Sequence, residues 1–246
     1  MLFDLGSTLL FFDTTWESVA DGYNRALVDG LHRAGIRVDP TAFPSEFQQR
    51  MDAYYTERQT EFIEYTTAFI LRGLLEEHGY AKISDADIAG ILRTLYAIPQ
   101  AHWQPEADAL PTLTLLHRQG YRLAVVSNAS DDADVQALVD KAGIRPLLDA
   151  VVTSAGVGIR KPNPRIFQIA LDQIGVLAAQ AVMVGDTLGA DILGAHNLGI
   201  PGIWIDRRAD KAANRDHLET IQPDAVISDL ASLPALLERW NRQRQS

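Results

Sequence analysis

The chain has 246 residues, which is enough for one large domain or for a core domain with a smaller one inserted. Its 32 acidic and 22 basic residues give a formal net charge of −10, which disfavours binding to nucleic acid or to an anionic membrane through the overall electrostatic field. The absence of cysteine excludes disulfides, thiolate catalysis and metal sites with cysteine ligands. No basic segment opens the chain and no apolar run approaches about 18 residues, so we predict a cytoplasmic protein without a membrane span.

The first predicted element is a short buried strand at Met1–Phe3, which ends at Asp4 and leads into the small residues of Leu5–Thr8. The pattern then becomes helical, with apolar residues three and four positions apart over Trp16–Ala34, Phe43–Gly79 and Asp85–Leu95. No strand pattern interrupts this region. We therefore predict a separate all-helical domain at residues 14–100, inserted into a core domain formed by residues 1–13 and 101–246.

Short apolar strands alternate with helices of about ten residues in the rest of the chain, from Pro105 onward. This alternation predicts an α/β fold, with a Rossmann-like parallel sheet and helices on both of its faces. The predicted strands are Arg122–Val126, Ala150–Thr153, Ala181–Val184, Gly202–Ile205 and Ala225–Ile227. The predicted helices are Ala109–Gln119, Asp132–Ala142, Pro164–Ile174, Leu188–Leu198 and Leu230–Trp240.

Acidic residues follow two of the predicted strands, at Asp4 and Asp186. In an open parallel sheet, ligands bind beyond the carboxyl ends of the strands. Asp4 is suited to attack phosphorus as a nucleophile, or alternatively caps a turn. Asp186 and Asp191 are five positions apart and suit Mg²⁺, although Asp191 could instead favour the N-terminus of a helix electrostatically.

Three further residues are suited to binding phosphate. Ser127 and Asn128 end a predicted strand and supply a hydroxyl and an amide, while Ser130 could cap the next helix. Lys161 precedes a proline-rich turn that restricts the backbone, and it would offset the charge of a nucleophile and a phosphate. The alternative for Lys161 is a solvated loop lysine.

These segments, in this order, resemble the haloacid dehalogenase superfamily of hydrolases. The matching motifs are DxxxT at Asp4–Thr8, SN at Ser127–Asn128, KPxPxIF at Lys161–Phe167 and GDTxxAD at Gly185–Asp191. The helical segment falls where many members of the superfamily carry a cap over the active site. The resemblance implies that Asp4 is the nucleophile, that Ser127, Asn128 and Lys161 bind phosphate, and that Mg²⁺ is the cofactor. Its implied ligands are Asp4, the backbone carbonyl of Gly6, Asp186 and Asp191, the last as a direct ligand or an orienting carboxylate.

One departure from the family pattern concerns Gly6. Phosphatases of the family usually carry a second Asp there, which acts as general acid and base and contributes about 10²–10⁴-fold to the rate. The loss would matter least for a good leaving group or if another group replaces the acid, for which Asp13, Glu17, His32 and a metal-bound water are candidates that spacing does not distinguish. We expect Gly6→Asp to raise phosphatase activity.

The implied function is Mg²⁺-dependent hydrolysis of a small phosphate monoester through an aspartyl-phosphate at Asp4. The alternatives are a catalytically impaired phosphate-ligand binding protein and a dehalogenase or phosphonatase-type hydrolase. Phosphonatases use a cap lysine, and the helical segment contains only Lys82, far from its start. The sequence does not indicate an oligomeric state. Five aromatic residues of the helical segment are expected to pack its helices together, rather than to form an apolar specificity pocket: Tyr54, Tyr55, Phe62, Tyr65 and Phe69.

Overall fold

A parallel sheet lies at the centre of the fold, as the alternation of strands and helices predicts. The computed structural model describes residues 1–208 and 210–245, with residues 57–61, 244 and 245 described by their backbone alone. Its strands are β1 (Leu2–Phe3), β2 (Leu10–Phe12), β3 (Trp103–Pro105), β4 (Ala124–Ser127), β5 (Ala150–Thr153), β6 (Met183–Gly185), β7 (Gly202–Ile205) and β8 (Ala225–Ile227). Six of them form the parallel sheet in the order β5-β4-β1-β6-β7-β8.

Helices cover both faces of this sheet and also form the segment between β2 and β3. They are α1 (Trp16–Arg33), α2 (Ala42–Glu61), α3 (Thr67–Glu77), α4 (Asp85–Gln100), α5 (Ala109–Arg118), α6 (Asp132–Lys141), α7 (Ser154–Val157), α8 (Pro164–Ile174), α9 (Leu193–His196), α10 (Ala212–Arg215) and α11 (Leu233–Gln245). Leu188–Ile192 is a π-helical turn that continues into α9. Among the described residues, no helix is both long and apolar enough to cross a bilayer.

Two hydrophobic clusters sandwich the sheet, because successive strand residues point to opposite faces. In β1, Leu2 packs with Phe167 and Leu171 of α8, whereas Phe3 packs in the cluster that contains Leu113 of α5 and Leu138 of α6. All but Leu138 are fully buried. The α/β prediction is therefore confirmed, with helices on both faces of the sheet.

Residues 14–100, which we call the helical insert, pack around a hydrophobic cluster of their own. Leu27, Leu71 and Leu95 of α1, α3 and α4 are fully buried in it, and Phe47 of α2 is nearly so. The division of the chain into two domains at residues 13/14 and 100/101 stays a prediction.

The predicted helical stretch Phe43–Gly79 is wrong in one respect, because the helix is interrupted at residues 62–66. Phe62 adopts a left-handed conformation with φ of 53°, and Ile63 forms an antiparallel bridge with Ile159 of the core. Thr66 then caps α3 by accepting a hydrogen bond from the N–H of Phe69 at 3.1 Å. The apolar spacing continues through the interruption, which explains why the sequence pattern did not reveal it.

The prediction for the aromatic residues of the insert holds only in part. Tyr54 is 5% exposed and packs among the helices, whereas Tyr65 and Phe69 are 39% and 62% exposed and stack on each other. Tyr55 packs against the hydrophobic cluster of the insert and also lines the cavity described below.

A two-stranded antiparallel sheet joins the core to the insert, and β3 within it was not predicted. Leu10, Phe11 and Phe12 pair with Pro105, Gln104 and Trp103. The three residues of β3 are too few to show a strand pattern. This pairing brings the Trp103 side chain against Gly6.

Candidate active site

The acidic residues singled out in the sequence meet at the carboxyl edge of the parallel sheet. Asp4 follows β1, Asp186 follows β6, and Asp191 lies in the π-helical turn beyond β6. Because β1 and β6 are parallel neighbours, the two strands deliver their carboxylates to the same edge. Carboxylate oxygens of the three residues lie within 4.8 Å of one another.

Lys161 bridges two carboxylates of this acidic group. Its Nζ is 2.6 Å from Asp4 Oδ1 and 2.7 Å from Asp191 Oδ1, and it donates a third hydrogen bond to the carbonyl of Val126 at 2.7 Å. The residue is only 3% exposed, so the alternative of a solvated loop lysine is wrong. Burial alone would lower the pKa of Lys161, but Asp191 and Asp4 outweigh that effect and raise it, which keeps the ammonium charged at neutral pH.

Asp191 uses both of its carboxylate oxygens within the site. Oδ1 pairs with Lys161, and Oδ2 accepts a hydrogen bond from the N–H of Thr187 at 2.9 Å. Burial raises the pKa of Asp191 to about 6, against the opposing influence of Lys161. A Cβ at Gly185 would lie 2.4 Å from the Asp191 carboxyl group, so only glycine leaves room for it at the end of β6.

Asp186 is 1% exposed and pairs with Lys211, a residue that the sequence analysis did not single out. The other carboxylate oxygen of Asp186 lies 3.5 Å from the hydroxyl oxygens of Thr8 and Thr187. Burial lowers the pKa of Lys211. Lys211 stands before α10 in a polar stretch of the chain, and nothing in that stretch distinguishes it from a solvated lysine.

Ser127 and Asn128 stand at the end of β4, and both line the cavity beside Lys161. The Asn128 side chain binds the main chain of Lys161, since its Nδ2 donates to the Lys161 carbonyl at 3.0 Å and its Oδ1 accepts from the Lys161 N–H at 2.8 Å. Asp131, rather than Ser130, caps α6 by accepting a hydrogen bond from the N–H of Asp134.

Gly6 faces an aromatic ring. A Cβ at this position would lie 3.3 Å from Cη2 of Trp103, which is tight for a carbon–carbon contact. The three side chains considered as substitutes for the missing acid, Asp13, Glu17 and His32, are absent from the described residues that line the cavity. Asp13 instead pairs with His102, 3.0 Å away.

A cavity of about 740 Å³ begins at these groups and extends under the helical insert. Its core end includes Asp4, Ser127, Lys161, Asp186 and Asp191. Its insert end includes Trp16, Tyr23, Met51, Asp52, Tyr55 and Tyr96. The cavity also includes Asp131 and Asp134, which belong to the core and lie close enough to Tyr23 and Tyr96 to influence their pKa values.

The interrupted stretch at residues 62–66 ties the insert to the loop that carries Lys161. The Glu64 carboxylate is buried, pairs with Arg160 and accepts hydrogen bonds from Tyr54 at 2.6 Å and Ser154 at 2.7 Å. The main-chain N–H of Arg160 donates to the Phe62 carbonyl at 2.9 Å. Sequence reasoning missed this contact because Glu64 was assigned to a continuous helix.

Comparison with known proteins agrees with this architecture and places the chain in a family. Residues 1–199 match the family model described as haloacid dehalogenase-like hydrolase, so the chain belongs to that family of hydrolases.

Its relatives include several phosphatases. A glyceraldehyde 3-phosphate phosphatase of Methanothermobacter thermautotrophicus is 38% identical over 145 residues, which is 58% of this chain and 63% of that protein. A glyceraldehyde 3-phosphate phosphatase of Pyrococcus furiosus is 25% identical over 98% of this chain and 93% of its own length. The haloacid dehalogenase-like hydrolase domain-containing protein 3 of Danio rerio is 33% identical over 97% of this chain and 96% of its own.

Solved structures with the same fold include a dehalogenase and a phosphatase. A 2-haloacid dehalogenase from Pseudomonas syringae is 27% identical, superposes with a TM-score of 0.66 and is matched over 97% of both chains. A phosphatase of the family from Thermococcus onnurineus is 25% identical, has a TM-score of 0.59 and is matched over 96% of both chains.

Proposed function

We propose that the protein is a Mg²⁺-dependent phosphatase that hydrolyses a small phosphate monoester through a phosphorylated Asp4. The observation that carries the proposal is the buried cluster of three carboxylates, two of which pair with Lys161, with Ser127 at the end of the adjacent strand. The phosphatases among its relatives support the same reaction class. The helical insert would be the cap over this site.

The donor set fits Mg²⁺, which prefers carboxylate and carbonyl oxygens and retains several waters. Asp4, Asp186 and the main-chain carbonyl of Gly6 would hold the ion, and it would offset the negative charge of the phosphate. Since both oxygens of Asp191 are engaged with Lys161 and Thr187, we assign Asp191 the role of orienting these neighbours. Lys211 pairs with Asp186 and therefore competes with the cation for this carboxylate.

In the proposed reaction, a carboxylate oxygen of Asp4 attacks phosphorus and forms a new P–O bond, while the ester P–O bond breaks. The alcohol departs with the bonding electron pair and takes a proton from water. A second water then attacks the aspartyl-phosphate, which releases inorganic phosphate and a proton and regenerates the Asp4 carboxylate. Lys161 and the Ser127 hydroxyl would bind phosphate oxygens, and Asn128 would hold the main chain of Lys161 in place.

Gly6 leaves the departing alcohol without a proton donor at the usual position. The rate should therefore depend steeply on the leaving group, so that p-nitrophenyl phosphate is cleaved far faster than an alkyl phosphate such as glycerol 1-phosphate.

Dehalogenation is the second candidate, because a 2-haloacid dehalogenase shares the fold over 97% of the chain and because Gly6 is compatible with attack on carbon. A phosphonatase is disfavoured, since Lys82 is exposed and does not line the cavity. A phosphate-binding protein without turnover is the remaining alternative, favoured by the contact between Lys211 and Asp186.

The test is turnover of p-nitrophenyl phosphate with Mg²⁺ and with EDTA, by the unmodified protein and by Asp4→Asn. Asp172→Asn, which changes an exposed carboxylate on α8, is the matched control. We expect metal-dependent turnover that Asp4→Asn abolishes and Asp172→Asn retains.

Other outcomes would contradict the proposal in distinguishable ways. Equal rates for the unmodified protein and Asp4→Asn would exclude the aspartyl-phosphate. Chloride release from 2-chloropropionate in EDTA would indicate dehalogenation. Stabilisation by a phosphate ester without any turnover would indicate a binding protein.

A further inference from the structure

The cavity offers much more room than a phosphate group requires. Its volume of about 740 Å³ lies within the range of roughly 300–1,000 Å³ that is typical of pockets for drug-sized ligands. The remainder of the space lies under the helical insert, where the alcohol part of an ester bound at Asp4 would have to lie.

Aromatic rings dominate the insert end of this cavity. Tyr23, Tyr55 and Tyr96 line it together with Trp16, whose ring contacts that of Tyr23 edge-on at a centroid distance of 5.0 Å. Burial is the main cause that raises the pKa values of Tyr23 and Tyr96, so both remain neutral hydroxyls at physiological pH. Such a wall favours a planar ring and, through the faces of its own rings, a cation.

The positive charges of the cavity lie at its core end and are already paired with carboxylates. The cations among its described lining residues are Arg160, Lys161 and Lys211, and each is already paired with a carboxylate. None of the three belongs to the insert end. A second anionic group on the ligand would therefore find no uncommitted cation among the described residues there.

Three carboxylates of the cavity have no cationic partner among the described residues. Asp52 accepts a hydrogen bond from Gln48 at 2.9 Å, Asp134 accepts one from Gln100 at 2.8 Å, and Asp131 caps α6. Burial raises the pKa of Asp131, and it raises that of Asp134 to about 6, as expected for carboxylates that lack a compensating positive charge.

We infer that the substrate is a monophosphate ester of a ring-containing alcohol that is uncharged or, preferably, positively charged. Esters that carry a second anionic group, such as phosphoglycolate or sugar bisphosphates, are disfavoured by the same carboxylates. This inference rests on the proposed function, because it assumes that the phosphate binds at the core end.

The test compares three aryl phosphates that carry the same two-carbon chain opposite the phosphate and differ in the group that ends this chain. They are O-phosphotyramine, 4-propylphenyl phosphate and 3-(4-phosphonooxyphenyl)propanoate, in which the chain ends in an ammonium, a methyl and a carboxylate group. Dissociation constants are measured calorimetrically on Asp4→Asn with Mg²⁺, so that binding is separated from turnover. We expect O-phosphotyramine to bind about tenfold more tightly than the neutral ester, and the carboxylate ester about tenfold more weakly.

Single substitutions locate the effect in the cavity. In the Asp4→Asn background, Asp52→Asn and Asp134→Asn should each reduce the preference of the protein for ammonium over carboxylate by about threefold. The matched control is Asp172→Asn, since Asp172 accepts a hydrogen bond from the glutamine four positions earlier, just as Asp52 does, but lies outside the cavity. It should leave the preference unchanged.

A fourth ester, O-phosphoethanolamine, tests the ring. It keeps the ammonium but lacks the aromatic group, and we expect it to bind at least about tenfold more weakly than O-phosphotyramine. Equal affinity for the three aryl esters, or a preference for the carboxylate, would overturn the inference about charge. If the binding preference holds while the unmodified protein cleaves none of the esters, the proposed function fails and the binding specificity stands.

Discussion

The two ends of the cavity differ in whether their carboxylates have cationic partners among the described residues. At the core end, Lys161 pairs with Asp4 and Asp191, and Lys211 pairs with Asp186, so every carboxylate has an ammonium partner. At the boundary with the insert, the Asp134 carboxylate has the Gln100 amide as its only hydrogen-bond partner among the described residues. The first arrangement compensates the burial of charge within the protein, whereas the second leaves negative charge without a partner.

Under the proposed function, the paired groups would take part in the reaction and the carboxylates at the boundary would select the substrate. The paired charges occupy the strand ends of the rigid sheet, where a phosphate and a cation would replace some of the internal contacts. Asp131 and Asp134 have no cationic partner among the described residues, and their burial lowers stability in the free protein, as expected where charge is retained for a ligand. Substitutions at the two ends should therefore change stability in opposite directions.

The largest effect is expected from removal of the central ammonium. Lys161→Met leaves Asp4 and Asp191 buried without a positive partner, which should lower the free energy of unfolding by about 3–5 kcal/mol at pH 8. Because burial raises the pKa of Asp191 to about 6, protonation of Asp191 relieves part of the loss, and the effect should be smaller at pH 5. Urea denaturation at the two pH values measures both quantities.

Lys82→Met is the matched control for this substitution, because Lys82 is exposed in the insert. Its effect should stay within about 0.5 kcal/mol at both pH values. A loss on Lys161→Met below about 1 kcal/mol, or one that does not change with pH, would contradict the role of Lys161 as the partner of the buried carboxylates.

The second effect concerns the missing acid at position 6. The sequence alone led us to expect that Gly6→Asp raises phosphatase activity, but the ring of Trp103 lies 3.3 Å from the position of the new Cβ. We now expect the single substitution to cost about 1–3 kcal/mol of stability and to give no gain in rate. Gly6→Asp combined with Trp103→Leu should raise the rate on an alkyl phosphate by about 10²-fold.

Trp103→Leu alone separates the relief of crowding from the new acid. It should leave the rate on alkyl phosphates low, because it adds no proton donor. If Gly6→Asp alone raises the rate as much as the double substitution, the Trp103 ring moves aside for the new side chain, and crowding by Trp103 is not what limits the single variant. Stability measured by urea denaturation excludes misfolding as the cause of a low rate.

The core end of the cavity was largely predictable, because local sequence patterns mark its residues. Asp4 and Asp186 directly follow buried apolar strands, and parallel strands end at the same edge of a sheet, so the pattern of the chain already groups these residues. Lys161 precedes a proline-rich turn whose motif matches the family. The catalytic and metal-binding roles of these residues stay predictions until the kinetic test is done.

The rest of the site depends on contacts that no local pattern encodes. Trp103 reaches Gly6 through a three-residue strand, and Lys211 reaches Asp186 from a polar stretch of ordinary composition. Glu64 pairs with a residue 96 positions away, across the boundary between the insert and the core. Such pairings are set by how the helices of the insert pack on the core, and the apolar periodicity of each helix contains no information about them.

The smallest effect, and the one of opposite sign, is expected at Asp134. Burial raises its pKa to about 6 from the ordinary value of 3.8, with Asp131 adding to the shift and the Gln100 amide opposing it. Tyr23 and Tyr96 lie nearby and remain neutral. Between pH 4 and pH 6 the unfolded chain loses this proton before the folded protein does, so the Asp134 carboxyl destabilises the fold increasingly as the pH rises.

Asp134→Asn removes this penalty and keeps an oxygen that can accept the hydrogen bond from Gln100. The variant should therefore match the unmodified protein near pH 4 and exceed its free energy of unfolding by about 1–2 kcal/mol above pH 6.5. Asp172→Asn, with an equivalent glutamine partner on an exposed helix face, should show no such pH-dependent gain. A gain that is the same at pH 4 and pH 7, or a loss at pH 7, would mean that Asp134 is compensated within the protein, and the contrast between the two ends of the cavity would then disappear.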